Sequence, residues 1–284
     1  MELGSNYYKK WFLNYVSIYG HDPEIIIKRD HSIRVAHHMK EMFSSFGLED
    51  DYQLLGDFIG LYHDIGRFEQ WKQYHTFYDQ NSVDHADFSV EQLFKDNKIQ
   101  NILSERNYDL IIYSAVKYHN KLQLPLKYSI KDESVFNSNR TLKQYVQNYK
   151  KYLSEYQSIH NLYCMAIRDI DKIDILYQYF TSTYLLKANE LPVSKKVASD
   201  FLTNQPIKKE DRKNVNDSLL LRLAFINDMN LTYSLKLLRD GNYIDKIKEV
   251  YPCLEPVREY FDYANRRLDE LIEKNKNTQY VLKK

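Results

Sequence analysis

The chain has 284 residues, with 40 Lys and Arg against 39 Asp and Glu, for a formal net charge of +1. That balance argues against the strongly basic footprint of a general nucleic-acid binder. The 7 Gly and 6 Pro fall far below the roughly 12% usual for the pair, which argues against many-turned sandwiches, barrels and collagen-like chains.

Long helices joined by polar loops are therefore expected. The N-terminal MELGSNYYKKWFLNY has no continuous apolar stretch, so no secretory signal is expected. No run approaches the ~18 apolar residues of a membrane span, and the expected location is the cytoplasm. Neither Cys164 nor Cys253 sits in a CxxC or finger spacing, and Cys164, in an apolar stretch, is expected as a buried free thiol.

From Asp30, the segment DHSIRVAHHMKEMFSSFG puts Ala36, Met39, Phe43 and Phe46 on one helical stripe. Asp30 is the expected N-cap and Gly47 the residue that ends the helix. DYQLLGDFIGLYHDIG follows, with Leu54, Phe58, Leu61 and Ile65 in register and Gly66 placed to stop it. Residues 67–82 show no clear period and read as a loop. Helices are expected at 83–95 and at 108–119, the latter with Ile112, Ala115 and His119 on one face. The stretch 121–139 reads as a long loop, and Lys121 to Arg140 as a candidate lid. Helical pattern returns at 141 and continues past 176.

Residues 189–216 are mixed in composition and mark the expected boundary, giving a core at 1–185 and a C-terminal helical extension at 186–284. Beyond it, SLLLRLAFIND reads as a buried helix, 232–239 as a helix closed by Gly241, and the last segment as a helix with Pro256 near its first turn.

The histidines are unevenly placed. His63 and Asp64 are adjacent at the end of an apolar helix, where a carboxylate beside an imidazole is costly unless paired or coordinated. His31 begins the preceding helix, Asp171 interrupts the apolar run MAIRDIDKIDIL, and His119 shares a stripe with Ile112 and Ala115. Each has a plain alternative: a core histidine is usually just hydrogen-bonded, and Asp171 could pair with Lys172 or Arg168. As a set, imidazoles and carboxylates without thiolates suit Mn, Fe, Co, Ni or Zn.

This ordered set resembles the HD-domain superfamily of metal-dependent phosphohydrolases, whose pattern is a His, a His-Asp doublet and a distant Asp. HSIRVAHHM is similar to the first motif, LYHDIGRFEQ to the doublet and DIDKID to the last, over about residues 25–180. The resemblance implies an all-α HD-domain helical bundle with additional C-terminal helices. It implies His31, His63, Asp64 and Asp171 as metal ligands, with Asp169 and Asp174 as supporting groups. Some branches of the superfamily carry two more histidines between the doublet and the last Asp. By that resemblance His85 and His119 hold a second metal and Asp64 bridges both; otherwise they contact phosphate or support the cavity. One or two divalent ions are implied, Mg being admissible beside the metals above.

The implied chemistry is attack of metal-bound hydroxide on phosphorus. Phosphate charge also needs cations. Arg34 is at i+3 from His31 and so shares its face, and Lys172 follows Asp171; with Asp64 they form the candidate catalytic set. Arg67 and Lys117 are candidate phosphate contacts, each with an ordinary surface cation as the alternative. Glu69 is a proton-transfer group or a surface acid, and Trp71, Tyr74, Phe77 and Tyr78 could stack a base or cap the core. The expected partner is a small phosphorylated substrate, a nucleotide above all, with no membrane and with an oligomer open. The alternative reading is a nucleotide-sensing HD module with little catalytic activity.

Overall fold

The computed structural model describes residues 5–103, 106–121, 124, 149–182 and 190–276, with side chains on the long helix from 159. Every regular element among them is helical, as the shortage of turn formers predicts. The chain divides into two compact units between Arg168 and Asp169. No helix among the described residues is long and apolar enough to cross a membrane.

In the first unit, α1 (Ser5–Ser17) and α2 (Pro23–Ser45) precede α3 (Asp50–Tyr62), α4 (Gly66–Tyr74), α5 (His85–Phe94) and α6 (Asp109–Tyr118). The long α7 (Tyr149–Thr181) contains the division between the units. Helix α2 starts seven residues before the expected cap. Asp22, not Asp30, is its N-cap, accepting from the Glu24 amide, and Pro23 occupies the first turn, where its missing N–H costs nothing. Gly47, at φ +70°, follows α2 as expected.

Helix α3 lies along α2. Gly60 makes that crossing close: a Cβ there would meet the Ala36 backbone nitrogen at 2.7 Å. The chain then turns through His63–Ile65. Gly66 does not end α3 but opens α4, because a Cβ would meet the Ser89 amide nitrogen at 2.6 Å. The segment read as a loop at 67–82 holds α4 and a 3-10 turn, Asp79–Asn81. Its apolar positions are few because α4 buries polar Arg67 and Gln70 as well as Phe68, which hides the helical period.

Helix α1 buries Tyr8, Phe12 and Val16 at helical spacing. The Tyr8 hydroxyl donates to Asp57 (2.5 Å) and the Tyr62 hydroxyl to the Tyr8 carbonyl (2.7 Å). Lys9 completes the pairing of buried Asp57 at 2.8 Å. Two of the chain's 26 tyrosines thus stand where a ring fills the core and its hydroxyl meets a buried polar group. Cys164 is a buried free thiol, as expected.

The second unit contains α8 (Lys195–Leu202), α9 (Val215–Leu223), α10 (Thr232–Asp240), α11 (Tyr243–Val250) and α12 (Arg258–Lys274). Leu219, Leu220 and Leu223 of α9 are buried, as SLLLRLAFIND predicts. At the end of α10 the left-handed residue is Asn242 (φ 52°), not Gly241 (φ −79°). The candidate lid at 121–140 and the helix start at 141 fall almost wholly outside the described residues.

Candidate metal centre

Five of the sequence-selected side chains meet in the first unit. His31 lies on α2, His63 follows the last residue of α3, and Asp64 sits in the turn before α4. His85 opens α5 and His119 follows α6. All five are buried. The ends of α3 and α6 that carry His63 and His119 are the negative poles of their helix dipoles, which favour a cation.

Asp64 divides its carboxylate between two imidazole pairs. Its Oδ2 lies 3.7 Å from His31 Nε2 and 3.8 Å from His63 Nε2. Its Oδ1 lies 3.6 Å from His119 Nε2 and 3.7 Å from His85 Nε2. Within the pairs, the Nε2 atoms stand 3.3 Å apart for His31 and His63, and 3.0 Å for His85 and His119.

The opposite ring nitrogens explain why these distances matter. His63 Nδ1 is 2.8 Å from the Gly60 carbonyl and His119 Nδ1 is 2.7 Å from the Val116 carbonyl. A carbonyl only accepts, so both Nδ1 atoms carry the proton. His85 Nδ1 donates to Asp79 Oδ2 at 2.6 Å. Burial, then nearby Arg67, pushes His85 down to about 4, so the ring is neutral near pH 7. With Nδ1 committed to an acceptor on both rings, the Nε2 atoms of His85 and His119 face each other at 3.0 Å, a place that suits a shared cation. Asp64 Oδ1 is buried without a hydrogen-bond partner. Burial opposes ionisation of Asp64, but Lys28, His63, His119 and Arg67 outweigh it and hold the carboxyl well below its usual range.

Two groups, His31–His63–Asp64 and Asp64–His85–His119, bring one donor atom from each residue within 4.8 Å of one another. Their imidazole and carboxylate donors fit divalent transition metals. A third group, Asp79–Asp84–His85, meets the same distance test, but its acids are engaged elsewhere. Asp84 caps α5 and takes Asn120 Nδ2 (3.1 Å) and Lys121 Nζ (2.5 Å). Burial raises its carboxyl, yet these partners bring it down to about 2. Asp84 thereby ties the start of α5, with His85, to the chain just after α6, with His119. Arg168 supports the same place by donating from Nη1 to the Tyr118 and Lys121 carbonyls.

The cations are placed differently from one another. Arg34 is half-buried on α2. Arg67 Nη1 donates to Gln70 (2.7 Å), the Phe77 carbonyl (2.8 Å) and Asp79 (2.8 Å), while its buried Nε lies 3.8 Å from Asp64 Oδ1 without a hydrogen bond. Lys117 pairs with Asp87 at 2.9 Å. Asp171 and Lys172 belong to the second unit, where Lys172 pairs with Asp228 at 2.7 Å. Asp169 accepts from the Asn230 and Leu231 amides, within the same unit. Glu69 is held by Tyr19 (2.9 Å) and Gln73 (2.7 Å).

Sequence reasoning missed Lys28 and Asp79. Lys28 Nζ lies 2.8 Å from Asp64 Oδ2 and 5.6 Å from the centre of the Phe77 ring. Lys28 is one turn before His31, the same kind of spacing that singles out Arg34, but placing the helix start at Asp30 left it outside the helix. Asp79 lay in the segment read as a loop and had no motif to mark it. Phe77 has Lys28 on it at 5.6 Å, Arg67 at 5.7 Å and Trp71 at 5.0 Å.

An all-helical unit with paired imidazoles around a shared buried carboxylate defines a class of helical domains with a candidate metal centre. The HD domain family model matches residues 29–176, more than half of the chain, and the chain belongs to this family of metal-dependent phosphohydrolases. No curated protein and no solved structure matches it.

Proposed function

We propose that this protein is a phosphohydrolase that cleaves a phosphoester or phosphoanhydride bond of a nucleotide or similar small phosphorylated compound. The observation that supports it most is the division of Asp64 between His31 and His63 on one oxygen and His85 and His119 on the other. In this reading His31, His63, Asp64 and Asp171 hold one divalent ion, and Asp64, His85 and His119 hold a second. Mn, Fe, Co, Ni, Zn and Mg are all admissible by donor type. Bound divalent ions supply an acidified water as nucleophile and neutralise phosphoryl oxygens.

The chain's own groups do the rest. The carbonyls of Gly60 and Val116 hold the Nδ1 protons of His63 and His119, which keeps each Nε2 directed inward. Asp64 stays ionised. Lys28 and the unpartnered Nε of Arg67 are placed beside it to meet phosphate oxygens, with Arg34, Lys117 and Lys172 as further candidates. Phe77 and Trp71 offer an apolar wall beside those cations, which suits a nucleotide better than inorganic phosphate. We assign the catalytic core to residues 1–185, the helical extension to 186–284, and the location to the cytoplasm.

The test is metal analysis of the purified protein together with a panel of phosphodiesters, dinucleoside polyphosphates and nucleotides. Hydrolysis that His63→Ala and Asp64→Ala both abolish is the expected result. Full hydrolysis and metal content in those variants would refute the assignment. Tight binding of one compound without cleavage of any would replace the enzyme with a nucleotide-sensing module.

A further inference from the structure

Two of the buried rings, His63 and His119, give their Nδ1 protons to backbone carbonyls. His85 gives its proton to a carboxylate, Asp79 Oδ2, at 2.6 Å. The other Asp79 oxygen is fixed by Arg67 Nη1 (2.8 Å) and Gln70 Nε2 (3.2 Å). Gln70 is fully buried and also donates to Ser82 Oγ (2.8 Å) and the Val83 carbonyl (3.0 Å). The residues from the start of α4 to the start of α5 thus form one network that ends on His85.

An anionic partner on Nδ1 fixes the tautomer of a metal-ligating imidazole and raises the donor strength of Nε2. We propose that Asp79 is a positioning residue that sets occupancy of the second metal position through His85, without ligating the ion. This rests on the two-position reading given above. It makes the second position unequal to the first: the Asp79–His85 hydrogen bond governs the affinity of the His85–His119 side. Arg67 then has two roles on separate atoms, with Nη1 securing Asp79 and Nε facing Asp64.

The experiment is equilibrium titration of metal-free full-length protein with Mn²⁺, following bound equivalents. Wild-type protein is expected to take two. In Asp79→Asn the second equivalent should bind about 10–100-fold more weakly, with the first unchanged and the melting temperature of the metal-free protein preserved. Asp79→Glu, which keeps the charge on a longer arm, should retain more second-ion affinity than Asp79→Asn. Unchanged binding of both ions in Asp79→Asn would overturn the proposal. So would equal weakening of both, which would mean that the network merely holds the loop together, and so would an affinity order in which Asn surpasses Glu. Wild-type protein that bound a single ion would instead sink the two-position reading, and this inference with it.

Discussion

The Nζ of Lys28 lies 2.8 Å from Oδ2 of Asp64, the carboxylate oxygen that faces His31 and His63. A flexible ammonium group with 19% of its side chain exposed can reach both the buried centre and an incoming anion. The Phe77 ring beneath it limits its directions. A hydrogen bond to a charged group is worth about 1.5–3 kcal/mol. Lys28→Met is therefore expected to raise KM roughly 10–100-fold for the cleaved compound, with unchanged metal content. Steady-state kinetics beside metal analysis checks this; an unaltered KM would confine Lys28 to ion pairing with Asp64.

The two imidazole pairs should be separable. His119→Ala is expected to abolish binding of the second ion while the first remains, because His31, His63 and Asp64 Oδ2 are untouched. His31→Ala should weaken the first ion instead. Asp64→Asn should weaken both, since each Asp64 oxygen faces one pair. Bound metal per chain, measured after equilibrium dialysis, distinguishes the three variants. Identical losses in all three would mean that the five residues form one undivided site.

Stability should fall with acid through His160. Burial pushes this fully buried imidazole from 6.5 down to about 4. The folded state therefore holds it neutral, and the unfolded chain binds the proton first. The contribution is fully present above pH 6.5 and is lost as pH falls through that value towards about 4. The difference between the two values corresponds to about 3 kcal/mol. Denaturant unfolding of metal-free protein at pH 7 and pH 4 should show a smaller acid loss in His160→Gln than in wild type. Equal losses would remove His160 as the cause.

Gly60 should not tolerate a side chain. A Cβ there would lie 2.6 Å from the Ala36 Cα and 2.7 Å from its nitrogen, and backbone cannot move aside as a flexible side chain does. Gly60→Ala is expected to cost about 1–3 kcal/mol as an overpacking change. It should also lower metal affinity, because the α2–α3 crossing brings His31 towards His63. Chemical denaturation and metal titration measure the two effects; a variant as stable as wild type would mean that α2 and α3 can separate cheaply.

Much of the molecule was legible in the chain itself. The shortage of Gly and Pro pointed to helices, and apolar spacing located α3, α5, α6 and α9 to within a few residues. The order His31, His63–Asp64, Asp171 carried the resemblance to the HD family, because residue type and spacing along the chain are linear information. Tertiary structure decided the rest. Gly66 looked like a helix stop, but the close approach of α5 is what requires it. Residues 67–82 looked like loop because α4 buries Arg67 and Gln70 in a polar network, and that erases the apolar period. Lys28 and Asp79 gained their places only when α2 and the turn before α5 folded onto Asp64 and His85. The sequence determined which side chains were available for the site. Which oxygen faces which imidazole, and which ring has a carboxylate behind it, depends on angles between helix ends that are far apart in the chain.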